Sequence, residues 1–504
     1  MFQQKRILML YLVFAGFFLF LLGRLFYIQF IQGEKYAQQA VAQRQQTVNH
    51  VQFPRGQILD RKLRPFTNVE EKPTVVVFPR MMQKRSEIAS FLSSQLNLPL
   101  ETVMDQLKLD PVILKTNLSE KEISLIKNAD LPGVYVLPII PRYQNNWPAV
   151  HIIGSIGRIS ETEYQATKRA GKEYRLEDII GKNGLEKQYE EVLKSTSSEK
   201  IAAMVDLHGQ HIKETGFTII HEHQDLPDNL THVVTTLDFD YQKVTEAALE
   251  GYEGAAVVLD VWNGDILAMA SSPKYDPYLL DLTNIKDVYI NKALQKYPSA
   301  EIFEIFLKLA TLEEGIEQHE EGEVGSDLSG EKILKYAEKF GLNNNEIIGY
   351  DLTPTSHFSL NDISLSPLLG AKLLAQVANG GFSITPRLVA AFHNDQGRII
   401  KEFSSALGER IISAESTRMV KSHLYLAGEE DDVSANQNTG IETAGIRGSS
   451  ESDGGMWFAG FAPVDIPKWA VVVFVQKSSF EGQEAAFIFQ NIVSGLAQSK
   501  GMHK

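Results

Sequence analysis

Residues Asn291–Gly315 read NKALQKYPSAEIFEIFLKLATLEEG, the pattern of one buried helix. Pro298 and Ser299 supply start signals, and Ile302, Phe303, Phe306, Leu309, Ala310 and Leu312 recur mostly at helical spacing. Gly315 is a stop. Against this apolar body, Glu301 and Glu304 sit three apart on one face of the first turn. Two carboxylates so placed repel each other, and the partial positive charge of the helix N-terminus compensates only in part. An apolar helix that opens on two acids is the oddity that any functional reading has to explain.

The N-terminus carries a second signal. Ile7 to Gly23, ILMLYLVFAGFFLFLLG, holds no charge, and LFYIQFI follows Arg24, so the apolar segment over 7–30 is long enough to cross a bilayer. Lys5 and Arg6 precede it, so the positive-inside rule keeps residues 1–6 in the cytoplasm and sends everything after about Gln32 outside. A cleaved signal peptide is the alternative. The length of the run and the lack of a small-residue cleavage site favour an uncleaved anchor. Arg24 is expected to snorkel to the outer interface or to meet a partner helix.

With 504 residues the chain exceeds one ordinary domain, and two or three folded units are expected. The net charge of −14 argues against nucleic acid as a partner. Having no cysteine, the chain can form neither disulfides nor thiolate metal sites, and it has no cysteine nucleophile. His221 and His223 in HEHQD invite a metal reading, but without a third placed ligand they read as surface residues, and no metal or cofactor is expected.

From Glu34 to His50 the Gln- and Ala-rich sequence predicts a helical stalk. Between Glu71 and Val136, PTVVVFP predicts a strand, SEIASFLSSQLNL a helix, and PVILKTNLSEKEISLIKNADLPGVYVLP a strand, a helix and a strand. AAVVLDVWNGDILAMASSP, from Ala255, predicts two strands around Asn263-Gly264, a dipeptide that favours a tight type I′ hairpin. SxxK strings begin at Ser197, Ser271 and Ser329, and their settings mark them as coincidence.

Several stretches resemble one family. FPRGQILDRKLRP, with Arg55, Gly56, Asp60 and Arg61, resembles the RGxIxDR motif that opens the pedestal, or dimerisation, domain of class B penicillin-binding proteins. Gly184, Leu185, Glu186 and Tyr189 resemble that family's GLExxY helix, with Lys194 and Ser195 replacing the arginine and glycine that usually follow. Asn291–Gly315 itself resembles the family's nucleophile helix, and its SxxK positions read Glu301 and Glu304. Glu442–Ser452 resembles the strand bearing KTGT, with Ile446, Arg447, Gly448 and Ser449 at those four positions.

What the resemblance implies is an α+β chain with an N-terminal transmembrane helix, a stalk and pedestal over 31–232, and a transpeptidase-like (β-lactamase-like) domain over 233–504. In the family a serine attacks an acyl carbon and a lysine one turn away takes its proton. Glu301 and Glu304 fill neither role, and no lysine on that face is expected to support them. The segment where SxN belongs is a short acidic connector, read as a deletion. The lysine that would hold a substrate carboxylate is Ile446, with Arg447 beside it as a residual positive charge. Loss of groove residues beside a retained pedestal implies a non-catalytic assembly or regulatory protein of cell-wall synthesis. Its expected partners are the membrane, a polytopic glycosyltransferase and peptidoglycan strands. The rivals are a transpeptidase using Ser299 or Ser449, and a membrane-anchored structural protein outside wall synthesis.

Overall fold

The computed structural model describes residues 14–24, 26–27, 45–52, 55–108, 112–143, 146–172, 174–176, 178–194, 198–204, 217–222, 230–278, 286–316, 328–343, 346–351, 364–405, 407–430, 441–449, 455–476 and 483–499. The SxN-equivalent connector, His223, Ser195 and Ser197 lie outside them, as do the two ends of the expected anchor. Residues 14–24 are helical, with Phe14, Phe17, Phe18, Phe20, Leu21 and Leu22 exposed. No helix among the described residues is both long and apolar enough to cross a membrane.

In chain order the elements that build the site are β1 (Ile58–Leu59), β2 (Thr231–Thr235), α1 (Phe239–Ala248), β3 (Gly254–Asp260) and β4 (Ile266–Ser272). Next come α2 (Ala300–Glu313), α3 (Gly330–Phe340), α4 (Pro367–Ala378), β5 (Val389–Asn394) and β6 (Ile399–Glu402). The last are α5 (Ala414–Glu430), β7 (Ala444–Ser449), β8 (Met456–Ala462), β9 (Trp469–Val475) and α6 (Glu484–Ser499). A five-stranded antiparallel sheet runs in the order β4-β3-β9-β8-β7. Successive side chains of a strand point to opposite faces. On β3, Ala255, Val257 and Leu259 therefore join the core that holds α2 and α4, and Ala256 and Val258 join the one that holds α1 and α6. Every residue of β9, WAVVVFV, is buried, as expected for a middle strand covered on both faces.

A second sheet, in the order β6-β5-β2-β1, joins the two halves of the chain. Its edge strand β1 comes from the RGQILD stretch and pairs in parallel with β2, Val233 against Ile58 and Val234 against Leu59. The strands Val112–Lys115, Lys72–Val77 and Val134–Ile139 form a three-stranded sheet packed on the helices Arg85–Leu96 and Glu120–Ala129, in the order the apolar pattern predicts. The helix Leu100–Gln106 is an addition that the pattern did not reveal.

Two expectations fail. Where a helical stalk was expected, Gln45–Gln52 is a strand paired antiparallel with Ser198–Met204, so the last part of that stretch takes its structure from a partner about 150 residues away rather than from local propensity. The turn around Asn263-Gly264 is also not type I′, which requires positive φ at both central residues. Only Gly264 has positive φ, +74°. The Asp260 carboxylate accepts the N–H groups of Trp262 and Asn263 and draws the chain into a longer loop.

Candidate functional site

Helix α2 begins at Ala300, where the start signals of the sequence put it. Its entry is held from the side: Trp457 Nε1 donates to Pro298 O at 2.8 Å, and the Tyr297 ring stacks on Phe474 with centroids 3.9 Å apart. Phe303, Phe306, Leu309 and Ala310 are buried in the main core. Their burial fixes the helix rotation, and Glu301 is thereby turned toward the edge strand β7.

There the carboxylate is occupied. Glu301 Oε2 accepts the Ser449 N–H at 3.1 Å, and Oε1 accepts the Ser449 hydroxyl at 3.2 Å. Gly448 permits the approach, because a Cβ on it would lie 3.1 Å from Glu301 Oε2. Glu304 is exposed; partial burial, then the Glu301 charge, hold its carboxyl above the usual range, and Lys308 opposes this. Lys308, half-buried one turn further on, is the cation that sequence reasoning missed on this face. Burial lowers its ammonium and the Glu304 charge raises it, but no ion pair joins the two among the described residues.

The pleat of β7 separates its four motif positions. Ile446 and Gly448 lie opposite Ala459 and Trp457, on the face of the core that holds α2, and Ile446 packs against that core. Arg447 lies opposite Phe458, on the face that holds α1 and α6. Arg447 therefore does not replace the missing lysine: one step along a strand turns a side chain to the other side of the sheet.

Neither serine resembles an activated nucleophile in full. Ser299 is 1% exposed and its hydroxyl has no partner among the described residues, so none of them is placed to take its proton. Ser449 is exposed and has a carboxylate at its hydroxyl, but the same carboxylate takes its N–H. Acyl transfer needs such N–H groups free to receive developing negative charge. Of the other SxxK serines described, Ser124 is exposed and donates to the Lys121 carbonyl, Ser271 is buried and accepts the Lys292 N–H, and Ser329 caps α3. No group of histidines and acids able to hold a metal occurs among the described residues.

The pedestal motif residues form two clusters. Arg55, 5% exposed, donates to Glu186 Oε2 at 3.0 Å and to Glu190 Oε2 at 2.8 Å. Arg142 donates to Glu186 Oε1 at 2.6 Å and to the Gly56 carbonyl at 2.9 Å. Glu186 is fully buried between the two guanidiniums. Asp60 belongs to the other cluster, accepting from the Lys62 and Arg64 N–H groups, from Arg64 Nε and from the Phe239 N–H at the start of α1. Arg61 is exposed, and Arg64 is the arginine that the sequence reading overlooked. Tyr189 donates to the Gly349 carbonyl at 2.7 Å. Gly184 has φ of +57° and packs against the backbone of Gly154. Lys194 takes up contacts despite departing from the motif: it bridges Arg55 through the backbone, and its ammonium lies over the Tyr174 ring.

Comparison with known proteins gives these clusters a family. The pattern of the penicillin-binding protein dimerisation domain matches residues 50–218, and that of the penicillin-binding protein transpeptidase domain matches 322–494, beginning beyond Glu301 and Glu304. Stage V sporulation protein D of Bacillus subtilis (strain 168) is 24% identical over 97% of this chain and 85% of its own length. Peptidoglycan D,D-transpeptidase MrdA of Escherichia coli (strain K12) is 30% identical over 40% of this chain, a match that spans 34% of that protein. Among solved structures, penicillin-binding protein PBP2 from Helicobacter pylori superposes with a TM-score of 0.61 at 17% identity, covering 89% of this chain and 99% of that one. A peptidoglycan synthetase from Bifidobacterium adolescentis gives a TM-score of 0.54 at 16% identity, covering 90% of this chain and 96% of that one. With a dimerisation and a transpeptidase domain in family order, this chain belongs to the class B penicillin-binding proteins.

Proposed function

We propose that this protein serves peptidoglycan synthesis without acylating substrate, as an assembly or regulatory member of its family. The observation that carries this reading is the Glu301 carboxylate bonded to both the N–H and the hydroxyl of Ser449. It stands where the family has its serine, and it fills the donor that an acyl oxyanion would need. Glu304 in place of the lysine and Ile446 packed into the core remove both amines of the family's site, the one that relays the serine's proton and the one that anchors a carboxylate. The exposed phenylalanines and leucines of residues 14–24, with the flanking apolar sequence, support an anchor over 7–30 in the bacterial cell membrane, with the bulk of the chain outside the cytoplasm. The retained pedestal domain supports protein partners there by its likeness to the family, with a polytopic glycosyltransferase the expected one.

The Ser449 hydroxyl beside a carboxylate favours one rival, a transpeptidase with a displaced nucleophile. A labelled β-lactam separates the two readings. The full-length protein is expected to form no covalent adduct, and stable labelling that disappears on Ser449→Ala or Ser299→Ala would overturn the proposal.

A further inference from the structure

One histidine ties the pedestal to the transpeptidase-like half. His232 on β2 accepts the Gln57 N–H at Nδ1 over 2.9 Å, and its Nε2 lies 3.0 Å from Asp395 Oδ1. The first bond sets the tautomer, since a nitrogen that accepts an N–H carries no proton, so the ring proton sits on Nε2 and donates to Asp395. Asp395 is itself fixed, its Oδ2 accepting the Leu230 N–H at 2.8 Å. Gln57 directly precedes β1, so this bond stands beside the two-residue pairing of β1 with β2. Directly opposite His232 on β5 is a second histidine, His393.

We propose that this seam is a pH-sensitive latch, in which a proton taken up at His232 Nδ1 displaces the Gln57 N–H and loosens the pedestal from the transpeptidase-like half. An imidazolium has donors on both nitrogens, so Gln57 loses its acceptor and meets another N–H instead. Asp395 accepts from the charged ring as well as from the neutral one, so the ring stays in place while the joint opens. Directly opposite, His393 is held below the usual histidine range, by burial first and then by the His232 charge, so it does not take up the proton in place of His232.

The other charged groups at the joint do not offset this change. From the outer strand β6, Lys401 pairs with Phe392 and lies over the Phe392 and Phe403 rings, on the opposite face of the sheet from His232. From the pedestal side, Arg55 is committed to Glu186 and Glu190, and the Gln57 side chain donates to the Asn68 carbonyl. Among the described residues no carboxylate other than Asp395 bonds the His232 ring.

The test is hydrogen exchange of the full chain in detergent, read by mass spectrometry over residues 57–60 and 231–235 and corrected for the intrinsic pH dependence. Between neutrality and about pH 5, protection of these segments is expected to fall about tenfold, the equivalent of one hydrogen bond. His232→Asn keeps an acceptor at the Nδ1 position and cannot take the proton, so its protection should stay level. Unchanged protection in the wild-type protein would overturn the proposal, and so would an equal fall in the variant. If the variant does not fold, the histidine nitrogen chemical shifts of the wild-type protein decide: a bare Nδ1 at neutral pH supports the latch, and a protonated one sinks it.

Discussion

Glu186 has no water-facing surface and depends on two guanidiniums for its charge. Removing one of them leaves a buried carboxylate half compensated, and breaking a buried pair in this way costs about 3–5 kcal/mol. Arg55→Ala should therefore lower the denaturant midpoint steeply, while Arg61→Ala, at an exposed position of the same motif, should stay within about 0.5 kcal/mol of the parent. His151 is a second residue with a sign to its effect. Buried, with Nε2 at 2.9 Å from the Val288 carbonyl, its imidazole is held down to about 4 by burial first. The unfolded chain takes this proton from about pH 6.5 downward and the folded chain only near 4, so stability falls as pH drops through that window, by up to about 3 kcal/mol. The His151 ring meets the Tyr275 ring edge-on, with centroids 5.1 Å apart, so His151→Phe can keep this packing and should flatten the acid limb of the stability profile; an unchanged limb would show that the ring is already charged. The RGQILD spacing made Arg55 and Asp60 legible as important residues. It did not reveal their partners, because Arg55 finds Glu186 at a separation of 131 residues and Asp60 turns to Arg64 instead of Arg61.

At the scale of elements, alternation and helical periodicity carried most of the reading. The strands and helices of the pedestal insertion and the strands β3 and β4 were visible because each buries one clear apolar face or a continuous apolar run. The stalk and the Asn263-Gly264 turn were misread for opposite reasons, one because its pairing is distant, the other because a neighbouring side chain outcompeted the dipeptide's own preference. The geometry of β1 gives a sharp prediction. A Cβ on Gly56 would lie 1.8 Å from the Thr231 carbonyl oxygen, a backbone atom with no rotamer to escape into. Gly56→Ala should therefore cost about 3 kcal/mol or more and lower the thermal midpoint, by overpacking the seam. Little change there would mean that the two strands stand further apart than this.

For the whole molecule, the groove and the pedestal make opposite demands on a cell. Glu301→Ser with Glu304→Lys is expected not to restore peptidoglycan crosslinking, because Ile446 still lacks the lysine ammonium and Arg447 faces the other side of the sheet. Crosslinking by purified double mutant above the parent level would refute this. In a strain lacking the protein, Arg55→Ala should complement worse than Glu301→Ala at matched expression; the reverse order would return weight to chemistry in the groove. The paired carboxylates of α2 were plain in the sequence, but the bond of Glu301 to Ser449, 148 residues away, was not, since nothing local announces which strand edge a helix will face.

The placement of β1 also bears on how the protein is made. Gln57 and His232 are 175 residues apart, yet they meet at the first rung of one sheet. A ribosome delivers the pedestal first, and that half stays unfinished at this edge until β2 has emerged. During the interval Gln57 and Leu59 offer bare backbone to any passing strand, the exposure that chaperones exist to cover. A chain stopped short before β2 would then be a product with an open seam, recognisable by a quality-control protease as incomplete, and not a free-standing pedestal.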